Sequence, residues 1–140
     1  MEPMTIRQYE ETDYQDLVHW WQARKDWQPI NKELLPQCGV IVEQADKKLA
    51  ALFVYQDITT PFAMLEWIVT NPDNTARESI VSLRVGIDYV MQAMKKVGRG
   101  ALFTTSSNPA LIRLLEKHGF EQTDTNVTHL CYVEPQPEEI

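Results

Sequence analysis

The chain has 140 residues, of which 44% are hydrophobic and 24% are charged, and its formal net charge is −7. This length and composition predict one globular domain and exclude a disordered or fibrous chain. The acidic balance argues against a nucleic-acid-binding surface, which is usually basic. No apolar stretch reaches about 18 residues and no basic-then-apolar leader is visible, so we predict a cytoplasmic protein without a membrane segment.

The first half of the chain is predicted to be rich in strands. In chain order we expect a strand over 4–9, a helix capped by Thr12 or Asp13, and a short helix over 31–35. A hairpin with strands over 39–43 and 49–56 follows, and then a strand over 64–70.

The second half alternates between helix and strand. The clearest helix presents one apolar face and stops near Gly98; its face comprises Ile80, Leu83, Ile87, Val90, Met91 and Met94. A strand over 101–105 follows, then a helix that begins at Asn108-Pro109 and ends at Gly119, and finally two strands over 120–123 and 126–133. The pattern predicts an α/β fold with a mixed sheet. We expect residues 1–134 to form one domain and residues 135–140 a flexible acidic tail. The free cysteines Cys38 and Cys131 are expected to be buried.

The segment from Asn108 to Phe120 carries the most specific pattern of the chain. It resembles the motif of the GNAT (acyl-CoA N-acyltransferase) superfamily, which has an asparagine, a Leu-Tyr pair and then Glu-Lys-x-Gly-Phe. The matching positions are Asn108, Ile112, Leu114, Glu116, Lys117, Gly119 and Phe120. Because the order of elements from Met4 to Val133 agrees as well, the resemblance covers nearly the whole chain. It implies the GNAT fold, a central twisted mixed sheet flanked by helices.

The resemblance also implies a reaction, the transfer of an acetyl group from acetyl-CoA to a primary amine of a small molecule or protein. In this family a splayed fourth strand offers backbone groups to the pantetheine arm, and the next helix N-terminus faces the pyrophosphate. The residues that the resemblance assigns to cofactor binding are Ile68, Val69, Thr70, Thr75, Ala76, Arg77 and Asn108.

The pyrophosphate loop departs from the family pattern Arg/Gln-x-x-Gly-x-Gly/Ala. Aligned from Pro72, the chain has Thr75 in the Arg/Gln position, and no glycine lies between Gly39 and Gly86. Glycines in such a loop let the backbone approach phosphate closely. Thr75 and Glu78 also fit a helix-capping box, a purely structural role. Asn108 has the same two interpretations, a contact with the cofactor arm and a helix cap.

The resemblance makes Glu66 the candidate catalytic base, because several GNAT enzymes hold a catalytic carboxylate on the fourth strand. It lies on the predicted fourth strand at even spacing from Ile68 and Thr70, so these three side chains are expected to share one face. The alternative is a surface glutamate paired with a Lys or Arg. Leu115 replaces the tyrosine that many GNAT members use as general acid, which leaves water, Ser106 or Ser107 for that task.

Two hypotheses follow from these residues. The first is an acetyl-CoA-dependent N-acetyltransferase. The second is a catalytically inactive GNAT-like binding or structural protein, encoded by a phage or mobile element, and it is favoured by Leu115 and the loop without glycines. The three histidines show no metal-ligand spacing, so no metal is predicted. The sequence leaves the acceptor and the oligomeric state open, a homodimer being one option.

Overall fold

The structure, a computed structural model, describes residues 2–25 and 27–135, which form five strands and three helices. In chain order they are β1 (Met4–Gln8), α1 (Tyr14–Gln22), β2 (Gly39–Gln44), β3 (Lys47–Gln56), β4 (Phe62–Thr70), α2 (Ala76–Lys96), β5 (Ala101–Thr104) and α3 (Pro109–Lys117). Single 3₁₀ turns at Glu11–Asp13 and Lys32–Leu34 precede α1 and β2. These elements match the predicted order as far as α3.

The strands form one mixed sheet in the order β1-β2-β3-β4-β5. The first four strands pair antiparallel, and β5 pairs parallel with β4 after the crossover through α2. The predicted α/β class with a mixed sheet is confirmed. No helix among the described residues is long and apolar enough to cross a membrane.

Apolar cores lie on both faces of the sheet. On one face, α2 and α3 pack through residues such as Ile87, Val90 and Leu114 against Leu52 and Leu65. On the other face, α1 packs against the sheet residues Ile41, Ala51, Phe53 and Val69, chiefly through Leu17, Trp20 and Trp21. We refer to these below as the α2 face and the α1 face.

Helix α2 packs tightly against the sheet at Gly86. A Cβ atom at this position would lie 2.5 Å from Cδ1 of Leu52 and 3.3 Å from Cγ2 of Val42. The absence of a side chain therefore sets the distance between the helix and the sheet.

We expect Gly86→Val to destabilise the fold by about 1–3 kcal/mol, because two further methyl groups would have to displace Leu52 and Val42. Urea unfolding measures the change. Gly100→Ala is the control, since nothing lies within 4 Å of the added atom. Equal stability of wild type and the Gly86 variant would contradict close packing at this point.

The start of α1 is held by the buried carboxylate of Asp13. Arg7 donates to both oxygens at 2.9 and 2.7 Å, Lys48 approaches Oδ1 at 2.7 Å, and the N–H of Glu10 donates at 2.9 Å. Asp13 precedes α1 as predicted but does not bond the helix backbone. Its side chain instead ties α1 to β1 and β3.

The C-terminal segment differs from the prediction. Residues 120–135 contain no helix or strand, so the two strands expected over 120–123 and 126–133 are not formed. Val127, Leu130 and Tyr132 are exposed. An alternating pattern favours an extended chain, but a strand also needs a neighbour for its backbone hydrogen bonds, and β5 pairs only with β4 in the described residues.

Two smaller expectations concern the cysteines and the C-terminal tail. The cysteines are free as predicted but not buried, since Cys38 is half-buried and Cys131 is exposed. Of the predicted tail, only Pro135 belongs to the described residues.

Candidate active site

The site lies where β4 and β5 stop pairing. Their parallel register runs from Phe62–Ala101 to Leu65–Thr104, whereas β4 continues to Thr70. Beyond Leu65 the backbone edge of β4 therefore has no paired strand among the described residues, and we refer to this end of the β4–β5 pairing as the opening. Helices α2 and α3 begin just past the ends of these two strands, so both helix N-termini border the opening.

A β-bulge in β4 shapes the edge of this opening. Ala51 pairs with Val69 and Phe53 with Glu66, so three steps along β4 face two steps along β3. Trp67, inside the bulge, has a φ of 55°, a left-handed conformation that is strained for a bulky residue.

The bulge corrects the predicted arrangement of side chains. Directly paired residues share a face, so Glu66 and Val69 lie on the α1 face with Phe53 and Ala51. Ile68 packs on the α2 face. The expectation that Glu66, Ile68 and Thr70 share one face is therefore wrong, because the extra residue shifts the alternation by one position.

Glu66 is half-buried and makes no side-chain hydrogen bond or ion pair with any other described residue. Burial raises the pKa of its carboxyl, because the charged form loses solvation, and the positive charge of His129 partly opposes that rise. No sequence pattern connects His129 with Glu66, because it lies more than 60 positions away in a segment without a recognisable motif. A carboxyl with a raised pKa is a better proton acceptor than an ordinary one.

A chain of two hydrogen bonds fixes Trp67 beside Glu66. Nε1 of Trp67 donates to Oη of Tyr55 at 2.7 Å, and Oη of Tyr55 donates to the carbonyl of Leu34 at 2.6 Å. Leu34 belongs to the segment that connects α1 to β2. The indole therefore lies on the α1 face, and 38% of Trp67 remains exposed. No local sequence pattern indicates that Tyr55 is a partner of Trp67.

The backbone after the bulge is only partly available to a ligand. Val69 is buried in the core on the α1 face. Both the carbonyl and Oγ1 of Thr70 accept hydrogen bonds from Nη2 of Arg24, at 2.8 and 2.6 Å. Ile68, the residue directly after Trp67, is half-buried.

The N-terminus of α2 has the capping box that the sequence predicted. Oγ1 of Thr75 accepts from the N–H of Glu78 at 3.1 Å, and the Glu78 carboxylate accepts from the N–H of Thr75 at 2.8 Å. Lys47 neutralises Glu78 at 3.0 Å. Ala76 and Arg77 are exposed, and their N–H groups, at the first two helix positions, have no partner in the described chain.

The N-terminus of α3 is capped by Asn108. Its Oδ1 accepts from the N–H groups of Ala110 and Leu111 at 2.9 and 3.1 Å. The amide nitrogen points to no partner within the described residues, so capping leaves a donor for a ligand. Leu115 is buried in the core, and Ser106 accepts a hydrogen bond from the N–H of Asn108, which leaves the exposed Ser107 as the freer hydroxyl.

An open, polar cleft of about 830 Å³ lies between α1, the β2–β3 turn and the loop after β4. His19 and Trp20 line it. Glu66 and Trp67 do not line this cleft, so it is distinct from the opening between β4 and β5.

Comparison with known proteins identifies the fold. No protein-family model matches the sequence, and no match is found among curated proteins. Solved structures match well: a ribosomal-protein-S18-alanine N-acetyltransferase from Escherichia coli superimposes with a TM-score of 0.72 at 22% identity, over 87% of this chain and 80% of that one. A GNAT-family acetyltransferase from Streptococcus pneumoniae gives 0.66 at 14%, over 96% and 100%.

A third structure is N-acetylglutamate synthase from Neisseria gonorrhoeae in complex with coenzyme A and L-arginine. It gives a TM-score of 0.68 at 13% identity, over 92% of this chain but only 30% of that one. The protein therefore has the fold of the GNAT acyltransferases, as its sequence motif predicted. At these identities the likeness establishes the architecture.

Proposed function

We propose that this protein is an acetyl-CoA-dependent N-acetyltransferase of the cytoplasm that acts on a primary amine of a small molecule or protein. The observation that carries the proposal is the end of the β4–β5 pairing after Leu65, next to the half-buried carboxyl of Glu66, which has no side-chain partner among the described residues. The fold supports it, since one structure of the same fold was solved with coenzyme A.

The cofactor would lie along the free edge of β4. Backbone groups of Ile68, Val69 and Thr70 would bind the pantetheine arm in the manner of an added strand. The unpaired N–H groups of Ala76 and Arg77, with the Arg77 guanidinium, would bind the pyrophosphate at the positive end of α2. Thr75 would contribute by capping that helix, and the free amide nitrogen of Asn108 would contact the arm from α3.

The chemistry would begin with proton transfer from the ammonium form of the acceptor to Glu66. The neutral nitrogen would then attack the thioester carbonyl carbon, and the C–S bond would break as the thiolate leaves. Backbone N–H groups of the bulge would stabilise the oxyanion. The acylated nitrogen must also lose a proton to become the amide. Leu115 cannot pass a proton to the thiolate, so that proton would reach the sulfur through water or Ser107.

A second candidate is a GNAT-like binding protein without catalysis. It is favoured by the loop before α2, because no glycine lies between Gly39 and Gly86. In addition, the N–H of Thr75 already donates a hydrogen bond to the Glu78 carboxylate. A carboxylate at this position opposes the approach of a pyrophosphate, although Lys47 compensates its charge.

Thermal unfolding with and without acetyl-CoA separates the two candidates. At 100 times the dissociation constant, a bound ligand should stabilise the folded state by about 2.7 kcal/mol, which raises the melting temperature by several degrees. We expect Arg77→Ala to reduce this rise, and Arg84→Ala, further along the exposed side of α2, to leave it intact. No rise at millimolar acetyl-CoA would contradict the transferase and support the binding protein.

A further inference from the structure

The bulge in β4 brings an aromatic ring and a carboxylate together on the α1 face. Glu66 lies there because it pairs with Phe53, and Trp67 lies there because its indole reaches Tyr55. In a regular strand these consecutive residues would point to opposite faces. Placing Glu66 and Trp67 side by side requires the left-handed backbone conformation of Trp67, with φ at 55°, which is strained.

The indole is held in place by groups that belong to the protein itself. Oη of Tyr55 accepts a hydrogen bond from the Trp67 N–H and donates one to the carbonyl of Leu34. These two bonds fix the orientation of the indole ring through its N–H group. The ring is nevertheless 38% exposed. An aromatic side chain that is fixed before a ligand arrives loses little entropy on binding.

The carboxylate of Glu66 favours a cation at this pair. Glu66 has no hydrogen-bonding or ionic partner among the described residues. The guanidinium of Arg24, near the end of β4, donates its hydrogen bonds to Thr70. Its Cζ atom lies 5.9 Å from the ring centroid of Trp27. His129 influences Glu66 only through its charge and makes no hydrogen bond to it. The net charge of −7 attracts cations to the surface as a whole.

We propose that Trp67 and Glu66 form a subsite for an organic ammonium ion, in which Tyr55 is the positioning residue. The ammonium group lies against the π-face of the indole and next to the carboxylate, a combination that binds organic cations. Insofar as the proposed function holds, this cation is the acceptor, an alkylamine without a neighbouring carboxylate. An amino acid would place its own negative charge against Glu66.

The test uses three ligands of similar length that differ in charge: 1,4-diaminobutane, 1,4-butanediol and succinate. Binding to the protein without acetyl-CoA is followed by the tryptophan indole N–H resonances in a ¹H–¹⁵N spectrum, the Trp67 signal being assigned by its loss in Trp67→Phe. We expect the diamine alone to shift that signal in a saturable manner. Trp67→Leu and Glu66→Gln should each weaken diamine binding fivefold or more.

Tyr55→Phe tests the positioning role. It should move the Trp67 N–H resonance in the free protein and weaken the diamine at least twofold, while the other indole signals stay in place. Equal binding of the diol, binding of succinate, or undiminished diamine affinity in Trp67→Leu would overturn the proposal. The ligand series on wild type decides the question even if a variant fails to fold.

The two proposals fail separately. Diamine binding without any acetyl-CoA stabilisation would retain the cation subsite and reject the transferase. Acetyl-CoA stabilisation without diamine binding would reject the cation subsite and leave a transferase for another class of acceptor.

Discussion

Glu66→Gln is expected to lower the rate of acetyl transfer about 100- to 10,000-fold, the usual contribution of a general base. The amide keeps the size of the side chain but cannot accept the proton of the ammonium. Steady-state release of free CoA measures the rate. The rise in melting temperature with acetyl-CoA should persist, because Glu66 lies on the α1 face and the proposed cofactor contacts are backbone groups and helix N-termini.

The pH profile adds a second measure. Because burial raises the pKa of Glu66, wild-type activity should fall as the pH drops through that raised value, and this fall should be absent from the residual activity of Glu66→Gln. A carboxyl whose folded pKa is raised loses stabilisation as the pH rises through it, so the variant should be no less stable than wild type at neutral pH. Asp88→Asn, on the exposed side of α2, is the matched control. Unchanged turnover in Glu66→Gln would remove Glu66 from the mechanism.

Asp13→Asn is expected to cost about 3 kcal/mol of unfolding free energy, near the lower end of the range for breaking a buried ion pair. The carboxylate side chain is 2% exposed, and its removal leaves Arg7 and Lys48 without their shared counter-charge. The lower end applies because those side chains are 33% and 26% exposed and recover some hydration. Urea unfolding followed by tryptophan fluorescence measures the loss.

The same carboxylate should make the wild type sensitive to acid. Burial alone would raise the pKa of Asp13, but hydrogen bonds from Arg7, Lys48 and the Glu10 N–H outweigh it and hold the pKa well below its usual range. Because the pKa of Asp13 is lower in the folded than in the unfolded state, its ionised form stabilises the fold above the unfolded-state pKa of about 4. That stabilisation is lost as the pH falls below this value. Asp13→Asn should lose this part of the acid dependence. Glu11→Gln, which breaks an exposed pair with Lys32, should leave the unfolding midpoint unchanged.

Local patterns predicted most of the elements. The spacing of Ile87, Val90 and Met94 requires one buried helix face, and Thr75 and Asn108 cap their helices with short side chains that can bond only nearby N–H groups. Such features depend on residues within a few positions of each other. They can therefore be recognised in the sequence before the fold is known.

The candidate site was predicted less completely. Glu66 was identified on its strand, but its face was assigned wrongly, because a bulge depends on how β4 pairs with β3. Tyr55, Trp67 and Leu34 meet only through that pairing and through the segment after α1. The strands expected over 120–123 and 126–133 failed for a related reason, since an alternating pattern does not supply a partner.

The sequence by itself determined the α/β class, the order of elements as far as α3, and the motif that indicates a GNAT fold, because helix periodicity and capping are local properties. Only the tertiary structure decided that β4 separates from β5 after Leu65, that a bulge places Glu66 beside Trp67, and that Asp13 joins α1 to the sheet. These features arise from contacts between residues distant in the chain, whose geometry no local pattern contains.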